Sequence, residues 1–409
     1  MISEKMKGPV SNNSAIREMF EEGKKLKKIY GNENVFDFSL GNPSIPAPKK
    51  VNEAIKEIIE NDDPLEVHGY TNNAGFEDIR EILAKSINKR FDTNFNKENF
   101  IMTVGAASGL NIIFKSILNP DDEVIVFAPY FMEYNNYING YDGKVVAITP
   151  DTNTFQPNLD EFKQKITSKT KAVLINTPNN PTGVIYSETT IKRIANILEE
   201  KEKEYNHEIY LISDEPYREL VYDNTTVPFV TKYYRNTFVV YSYSKSLSLP
   251  GERIGYVIVP DEMEDSKTLQ TAITIANRII GCVNAPSLMQ KVIVKCLDEQ
   301  TDLHTYNHNR QLLYDSLIKF GFECVKPEGT FYLFVKSPIE DDKEFCKQAK
   351  EFNLLFVPGT SFACPGYVRI AYCVSPEMLE KSLDSFQKLA NIYFSNLTWF
   401  RENSKIKVS

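Results

Sequence analysis

The stretch FVVYSYSKSLSLPGERIGY, residues 238–256, decides how this chain is read. It opens on an apolar run, Phe238–Tyr241, of the length and texture of a buried strand. The run ends in Ser242, Ser244 and Lys245. A turn through Pro250 and Gly251 then leads to Arg253 and a second apolar run, Arg253–Val259. Two hydroxyls, a lysine and an arginine therefore gather where a strand runs out. Toward the N-terminus, Phe100–Val104, Glu123–Ala128, Lys144–Ile148, Lys171–Asn176 and Ile209–Ser213 share the strand texture, and Ser108–Leu118, Leu159–Ile166 and Ser187–Glu204 read as helices between them. Alternation of this kind predicts an α/β fold, a mostly parallel sheet with helices on both faces. Ligands of such sheets sit at the carboxyl ends of the strands, which is where the chemistry is to be sought.

Past Pro286 the texture changes. A long helical stretch from Ser287 to about Lys319 leads to Phe331–Lys336, a further helix, Leu355–Val357 and Val368–Val374, and a long helix follows Pro376. This predicts a second, smaller α+β domain, joined by the segment before Asn42. The expected division is residues 1–44 as an N-terminal arm and part of the smaller domain, 45–290 as the large domain, and 291–409 as the C-terminal small domain.

Bulk properties narrow the function. The chain has 409 residues, 42% hydrophobic and 25% charged, with a net charge of −8. That is a globular composition with room for two cores. The acidic balance argues against nucleic acid or an anionic membrane as partner. Cys282, Cys296, Cys324, Cys346, Cys364 and Cys373 form no Cys-x-x-Cys pair, so free thiols in a reducing cytoplasm are expected rather than metal or redox chemistry. Met1–Asn13 lacks the apolar core of a signal peptide. His304 and His308 stand four apart, but no acidic residue completes a zinc-protease pattern between them, and a solvated helix face is expected.

The strand ends carry the chemistry. Phe100–Val104 runs into Gly105, Ala106, Ala107, Ser108 and Gly109, small residues that let backbone N–H groups and a helix dipole face a phosphate. Glu123–Ala128 ends in Pro129, Tyr130 and Phe131, an aromatic placed to stack on a flat ligand or to fill core. Lys171–Asn176 ends in a rigid loop, Thr177-Pro-Asn-Asn180-Pro-Thr-Gly183. Ile209–Ser213 delivers Asp214 and Glu215, then Tyr217; a carboxylate at the end of an apolar strand should meet a cation, because an unpaired buried charge is costly. Lys245, placed in a pocket, can lose its proton and form a Schiff base, and Arg253 and the serines suit a phosphate. A phosphate cradle, a stacking aromatic, a carboxylate for a ring cation and a Schiff-base lysine together fit pyridoxal 5'-phosphate (PLP), a flat pyridinium aldehyde bearing a phosphate.

From about Ser39 to Tyr372 the sequence resembles class I/II aminotransferases of the fold-type I PLP superfamily, the aspartate aminotransferase-like enzymes. The motifs are Asn180-Pro-Thr-Gly, Asp214-Glu-Pro-Tyr217, and Ser242-x-Ser-Lys245 with Arg253 eight residues on. The resemblance implies a mostly parallel seven-stranded sheet in the large domain. It implies that Lys245 forms the Schiff base with the cofactor and moves the substrate's α-proton, and that Asp214 keeps the pyridine nitrogen protonated. Asn180 and Tyr217 would hydrogen-bond the 3'-oxygen and Phe131 would stack on the ring. Gly105, the Ala106 and Ala107 amides, Ser242, Ser244 and Arg253 would hold the phosphate. Tyr70 would reach the phosphate of a neighbouring subunit, making a homodimer with shared sites. Arg369 would clamp the α-carboxylate, approached also by the backbone of Gly41 and by Asn180.

The expected activity is therefore an L-amino acid:2-oxo acid aminotransferase working by a ping-pong mechanism through pyridoxamine phosphate, with 2-oxoglutarate as acceptor, in the cytoplasm. Ala107 and Phe131 depart from the hydroxyl or lysine and the tryptophan of several relatives. The arginine that reads a distal carboxylate in the aspartate-specific subgroup aligns near Ile279, one residue from Arg278. On a helix that offset is a large rotation, so side-chain specificity stays open between Arg278 and Arg17. A carbon–sulfur β-lyase of the same fold is the enzymatic alternative. An effector-binding domain of a transcription regulator is the other, and the short segment before Val35 leaves no room for its DNA-binding domain.

Overall fold

The computed structural model describes residues 2–11 and 15–404, excepting the side chains of 9, 11, 15–18, 20 and 395–404. Its centre is a seven-stranded sheet: β1 (Phe100–Thr103), β2 (Glu123–Phe127), β3 (Lys144–Ile148), β4 (Thr170–Asn176), β5 (Tyr210–Asp214), β6 (Thr237–Ser242) and β7 (Gly255–Ile258), in the order β1-β7-β6-β5-β4-β2-β3. Every neighbouring pair is parallel except those made by β7, which runs antiparallel to β1 and β6. The reason lies between β6 and β7: that segment holds one turn of helix, Tyr243–Ser246, and doubles back instead of crossing over.

Strand alternation splits the core between the two faces. Val124 and Val126 pack with Ile112, Ile113 and Phe114 of the helix Ala106–Ile117. Ile125 and Phe127, one position out of phase, pack with Ile191 and Ile194 of the helix Glu188–Tyr205. Central strands covered on both sides need apolar residues throughout, and every residue of β5 and β6 is buried.

The C-terminal part builds an antiparallel sheet of Val357–Pro358, Tyr367–Ala371 and Tyr332–Lys336, in that order, and the helices Leu303–Phe320 and Pro376–Ser404 pack in its apolar cluster. Phe36–Asp37 pairs in parallel with Leu354–Leu355, which brings the segment before Asn42 into this part of the molecule.

Two expectations need correction. The stretch Ser287–Lys319 is two helices, Ser287–Val294 and Leu303–Phe320. The break is built by Asp302, whose carboxylate caps the second helix at the His304 N–H (2.9 Å), and by Thr301, whose N–H donates to the Ser246 carbonyl (2.7 Å). The run Leu355–Val357 is two short strands, because the chain changes sheets at Phe356. His304 and His308 are exposed on their helix. Among the described residues no helix is long and apolar enough to cross a membrane.

Candidate active site

A cavity of about 320 Å³ opens at the carboxyl ends of β1, β2, β4, β5 and β6, where the sheet topology places ligands. It gathers Gly41, Ala106, Ala107, Phe131, Asn180, Asp214, Tyr217, Ser242, Ser244, Lys245, Arg253 and Arg369 from segments far apart in the chain.

Lys245 sits on the helical turn that follows β6 and is half-buried. Its Nζ donates to the Gly41 carbonyl at 2.7 Å and lies 5.3 Å from the centre of the Phe331 ring. Burial pushes its pKa down to about 8; Cys373 opposes the shift, while Arg369 and Arg253 add to it. An amine so placed is uncharged for a useful fraction of the time near neutral pH, as a nucleophile or base must be.

Asp214 ends β5. Its Oδ2 accepts a hydrogen bond from the Tyr134 hydroxyl at 2.5 Å, while Oδ1 is sealed from solvent and has no partner. Burial raises its pKa to about 7, opposed by the Tyr134 hydrogen bond and aided by Glu215. The cation expected beside this carboxylate is missing: among the described residues no ion pair reaches Asp214. The adjacent Glu215 has its own, since Arg218 Nε donates to it at 2.5 Å. A sealed, bare carboxylate oxygen facing a cavity fits a ligand that brings a cation with it. The rigid loop after β4 is tied to this strand end. Asn176 Nδ2 donates to the Asp214 carbonyl (2.9 Å), and its Oδ1 accepts from the Asn180 N–H (2.7 Å).

Arg369, buried in the strand Tyr367–Ala371, donates through Nη1 to Asn180 Oδ1 (3.0 Å) and through Nη2 to the Ser39 carbonyl (2.7 Å). Its Nε is buried without a partner. The guanidinium lies 4.4 Å from the Tyr332 ring centre, and the Tyr332 hydroxyl meets that of Tyr217 at 3.1 Å. A side chain at Gly41 would overlap the Tyr332 hydroxyl, so any larger residue here forces the loop or Tyr332 to shift.

The turn after β1 runs through Gly105 at φ +87, and the helix Ala106–Ile117 begins with no side-chain cap on its N–H groups. A Cβ at Gly105 would fall 2.6 Å from Arg253 Nη2. Arg253 is exposed and held by the carbonyls of Pro250 (2.9 Å) and Val104 (3.2 Å), with the Ser242 and Ser244 hydroxyls 2.8 Å apart. Uncapped N–H groups, two hydroxyls and a guanidinium on one rim suit a phosphate. The Phe131 ring meets Tyr134 edge-on at 5.7 Å.

Tyr70 is 90% exposed and does not line the cavity of its own chain. Arg278 is exposed and also lies outside it. The Arg17 side chain falls outside the described residues. Sequence reasoning missed Tyr134, Tyr332 and Asn176. The available signal for Tyr134 was its place one helical turn after Phe131, which turns it toward the same ligand edge.

A lysine of lowered basicity, a bare buried carboxylate and a partly free arginine across one cavity define an enzyme of amine and carboxylate chemistry. Comparison with known proteins gives the family. Residues 33–386 match Aminotransferase class I and II, and the chain belongs to that family. It is 33% identical to an aspartate aminotransferase of Thermotoga maritima over 88% of this chain and 92% of that one. Its fold superposes on the crystal structure of an aminotransferase of Eubacterium rectale with a TM-score of 0.94 at 49% identity, covering 96% and 99% of the two chains. Aspartate aminotransferase of Thermus thermophilus with maleate superposes with a TM-score of 0.84 at 26% identity, over 95% and 99%. The chain is therefore an aminotransferase.

Proposed function

We propose that this aminotransferase holds PLP in the cavity around Lys245 and passes the amino group of an L-amino acid to a 2-oxo acid, with 2-oxoglutarate as acceptor. The observation that carries the proposal is Asp214, buried, raised to about 7 and bare at Oδ1. A protonated pyridine nitrogen is the cation this carboxylate lacks. When bound, PLP supplies an electron sink for the substrate Cα as its proton leaves.

The chain's own residues do the rest. Gly105, the Ala106 and Ala107 amides, Ser242, Ser244 and Arg253 would hold the phosphate, Phe131 would cover the ring, and Asn180 and Tyr217 would bind its 3'-oxygen. Arg369 binds the substrate α-carboxylate, its free Nε supplying a donor that Asn180 and Ser39 leave unused. Gly41 keeps the backbone close to that carboxylate. Lys245 Nζ would take up the proton that leaves the substrate Cα and hold it for return, a task suited to an amine of pKa about 8. The donor half-reaction and the acceptor half-reaction use the same groups in reverse order, which gives ping-pong kinetics.

We further infer a homodimer with shared sites. Tyr70, Ile279 (57% exposed) and Val283 (37%) present apolar surface on neighbouring segments, since Asn73 Nδ2 donates to the Val283 carbonyl at 2.8 Å. Such surface supports burial against a second copy, with Tyr70 reaching that copy's phosphate. The six cysteines are free thiols, which supports a reducing cytoplasm.

The deciding experiment is a visible absorbance titration of the purified yellow protein with single L-amino acids. Aspartate comes first, because relatives carry that name. Bleaching that 2-oxoglutarate reverses establishes transamination and ranks donors. Persistent colour with pyruvate, ammonia and homocysteine released from cystathionine would assign β-elimination instead, and a colourless protein that takes up no PLP would refute the proposal.

A further inference from the structure

Behind the lysine segment lies a second cavity, of about 300 Å³, between the helix Glu77–Phe91, strands β6 and β7, and residues 296–300. None of the residues proposed to hold PLP or substrate lines it. The volume is at the lower end of that of small-molecule pockets.

Its wall is built, and incompletely satisfied. Tyr243 and Tyr256 are 6% and 3% exposed, and both line the cavity. Among the described residues neither hydroxyl has a hydrogen-bond partner, and neither oxygen is fully sealed, so both open on accessible space. No group of the described residues satisfies either hydroxyl, so both are left to bond whatever fills the cavity their residues line. Next to them Arg90 Nη2 donates to Glu219 Oε1 at 2.8 Å. Glu219 also accepts from the Tyr241 hydroxyl at 2.8 Å. The remaining guanidinium nitrogens of Arg90 make no further hydrogen bond to a described residue, and Asp298 and Glu299 stand exposed at the rim.

We infer that this cavity binds a free α-amino acid. A simple anion would sit against Glu219, Asp298 and Glu299 in a small space, and a simple cation would sit against Arg90. A zwitterion meets opposite charge at both ends, its carboxylate on the open edge of Arg90 and its ammonium toward Glu219 and the acidic rim. The hydroxyls of Tyr243 and Tyr256, each able to donate or accept, complete the shell at either end. The site adjoins the reaction centre without sharing groups with it: Ser246, next to Lys245, contacts the Tyr241 hydroxyl at 2.9 Å, and Glu219 lies two residues past Tyr217.

The test uses the PLP-loaded enzyme and two amino acids without an α-hydrogen, 2-aminoisobutyrate and 1-aminocyclopentane-1-carboxylate, which cannot be transaminated. Binding is read by saturation-transfer NMR on wild type, Arg369→Ala, the Tyr243→Phe/Tyr256→Phe pair and Glu219→Gln. Binding should survive in Arg369→Ala, and in that background it should weaken about tenfold or more when either of the other two changes is added, the loss of one or two hydrogen bonds to charged groups. Retained turnover and circular dichroism would show that those two are folded. Acetate or methylammonium alone should displace neither probe. Binding lost only in Arg369→Ala would place the probes in the aminotransferase cavity and overturn the second site while sparing the proposed function. Binding indifferent to every variant, displacement by a simple ion, or no binding at all would overturn it as well.

Discussion

The Tyr134 hydroxyl donates to Asp214 Oδ2 at 2.5 Å, and the other oxygen of the same carboxylate is buried with nothing to accept from. One half of the carboxylate is thus satisfied by the protein and the other half is left for a ligand. The neighbouring Glu215, equally buried, is paired with Arg218. Two adjacent acids at one strand end therefore have different surroundings, the first bare on one oxygen and the second ion-paired.

In protein stripped of PLP, Asp214 makes stability pH-dependent. The folded carboxyl has a pKa of about 7 against an ordinary 3.8, so between those values the folded chain keeps a proton that the unfolded chain releases. Stability from this group falls as pH rises from about 4 to 7 and is flat beyond. Asp214→Asn should match wild type in urea melts near pH 4 and exceed it at pH 8, by up to about 4 kcal/mol. A difference that does not change with pH would contradict the buried, unpaired carboxyl. Asp214→Ala should also cost several orders of magnitude in turnover.

Tyr134→Phe removes the donor that holds the charged form of Asp214. The carboxyl should then titrate higher still, and PLP, measured by fluorescence titration of stripped protein, should bind about 10- to 100-fold more weakly at pH 7. Wild type and variant should converge as pH rises. Equal affinities at pH 7 would make Tyr134 a packing residue only.

Lys245→Ala should abolish turnover while PLP still binds non-covalently. In stripped wild type, acylation of Lys245 followed by mass spectrometry should rise with a midpoint near pH 8, the depressed value of its buried amine. A midpoint near that of free lysine would remove the argument for a poised base.

Arg369→Ala should act on substrate binding. KM for every active amino acid should rise about 100-fold, the loss of a charge-assisted clamp, with a smaller change in kcat. Unchanged KM values would refute the clamp.

Gly41→Ala would drive a methyl group into the Tyr332 hydroxyl, which touches Tyr217 and whose ring lies against Arg369. Activity should fall steeply, and Tyr332→Ala in the same chain should restore part of it by opening the space. Full activity in Gly41→Ala alone would show that the loop moves freely.

The expected strands of the seven-stranded sheet were legible to within a residue or two, because a strand buried on both faces must be apolar along its length and its ends are marked by turn residues. The long stretch after Pro286 was read as one helix because helical periodicity runs through it; the break depends on a hydrogen bond from Thr301 to Ser246, far away in sequence. The run Leu355–Val357 misled for a related reason, since nothing local tells a short apolar run which of two sheets it joins.

The sequence by itself determined which residues could do chemistry: Lys245, Asp214, Asn180, Tyr217 and Arg253 each stand at the end of an apolar run or in a rigid loop, and both signals are local. Tertiary structure alone decided what surrounds them. It set Tyr134 on Asp214 across 80 residues, Tyr332 on Tyr217 across 115, and the Gly41 carbonyl on Lys245 across 204. Among the described residues it also withheld a cation from Asp214 and gave Glu215 one. Protonation states follow from burial and from partners brought together by folding. The order of residues along the chain records neither, so the groups could be read from sequence but not their charge.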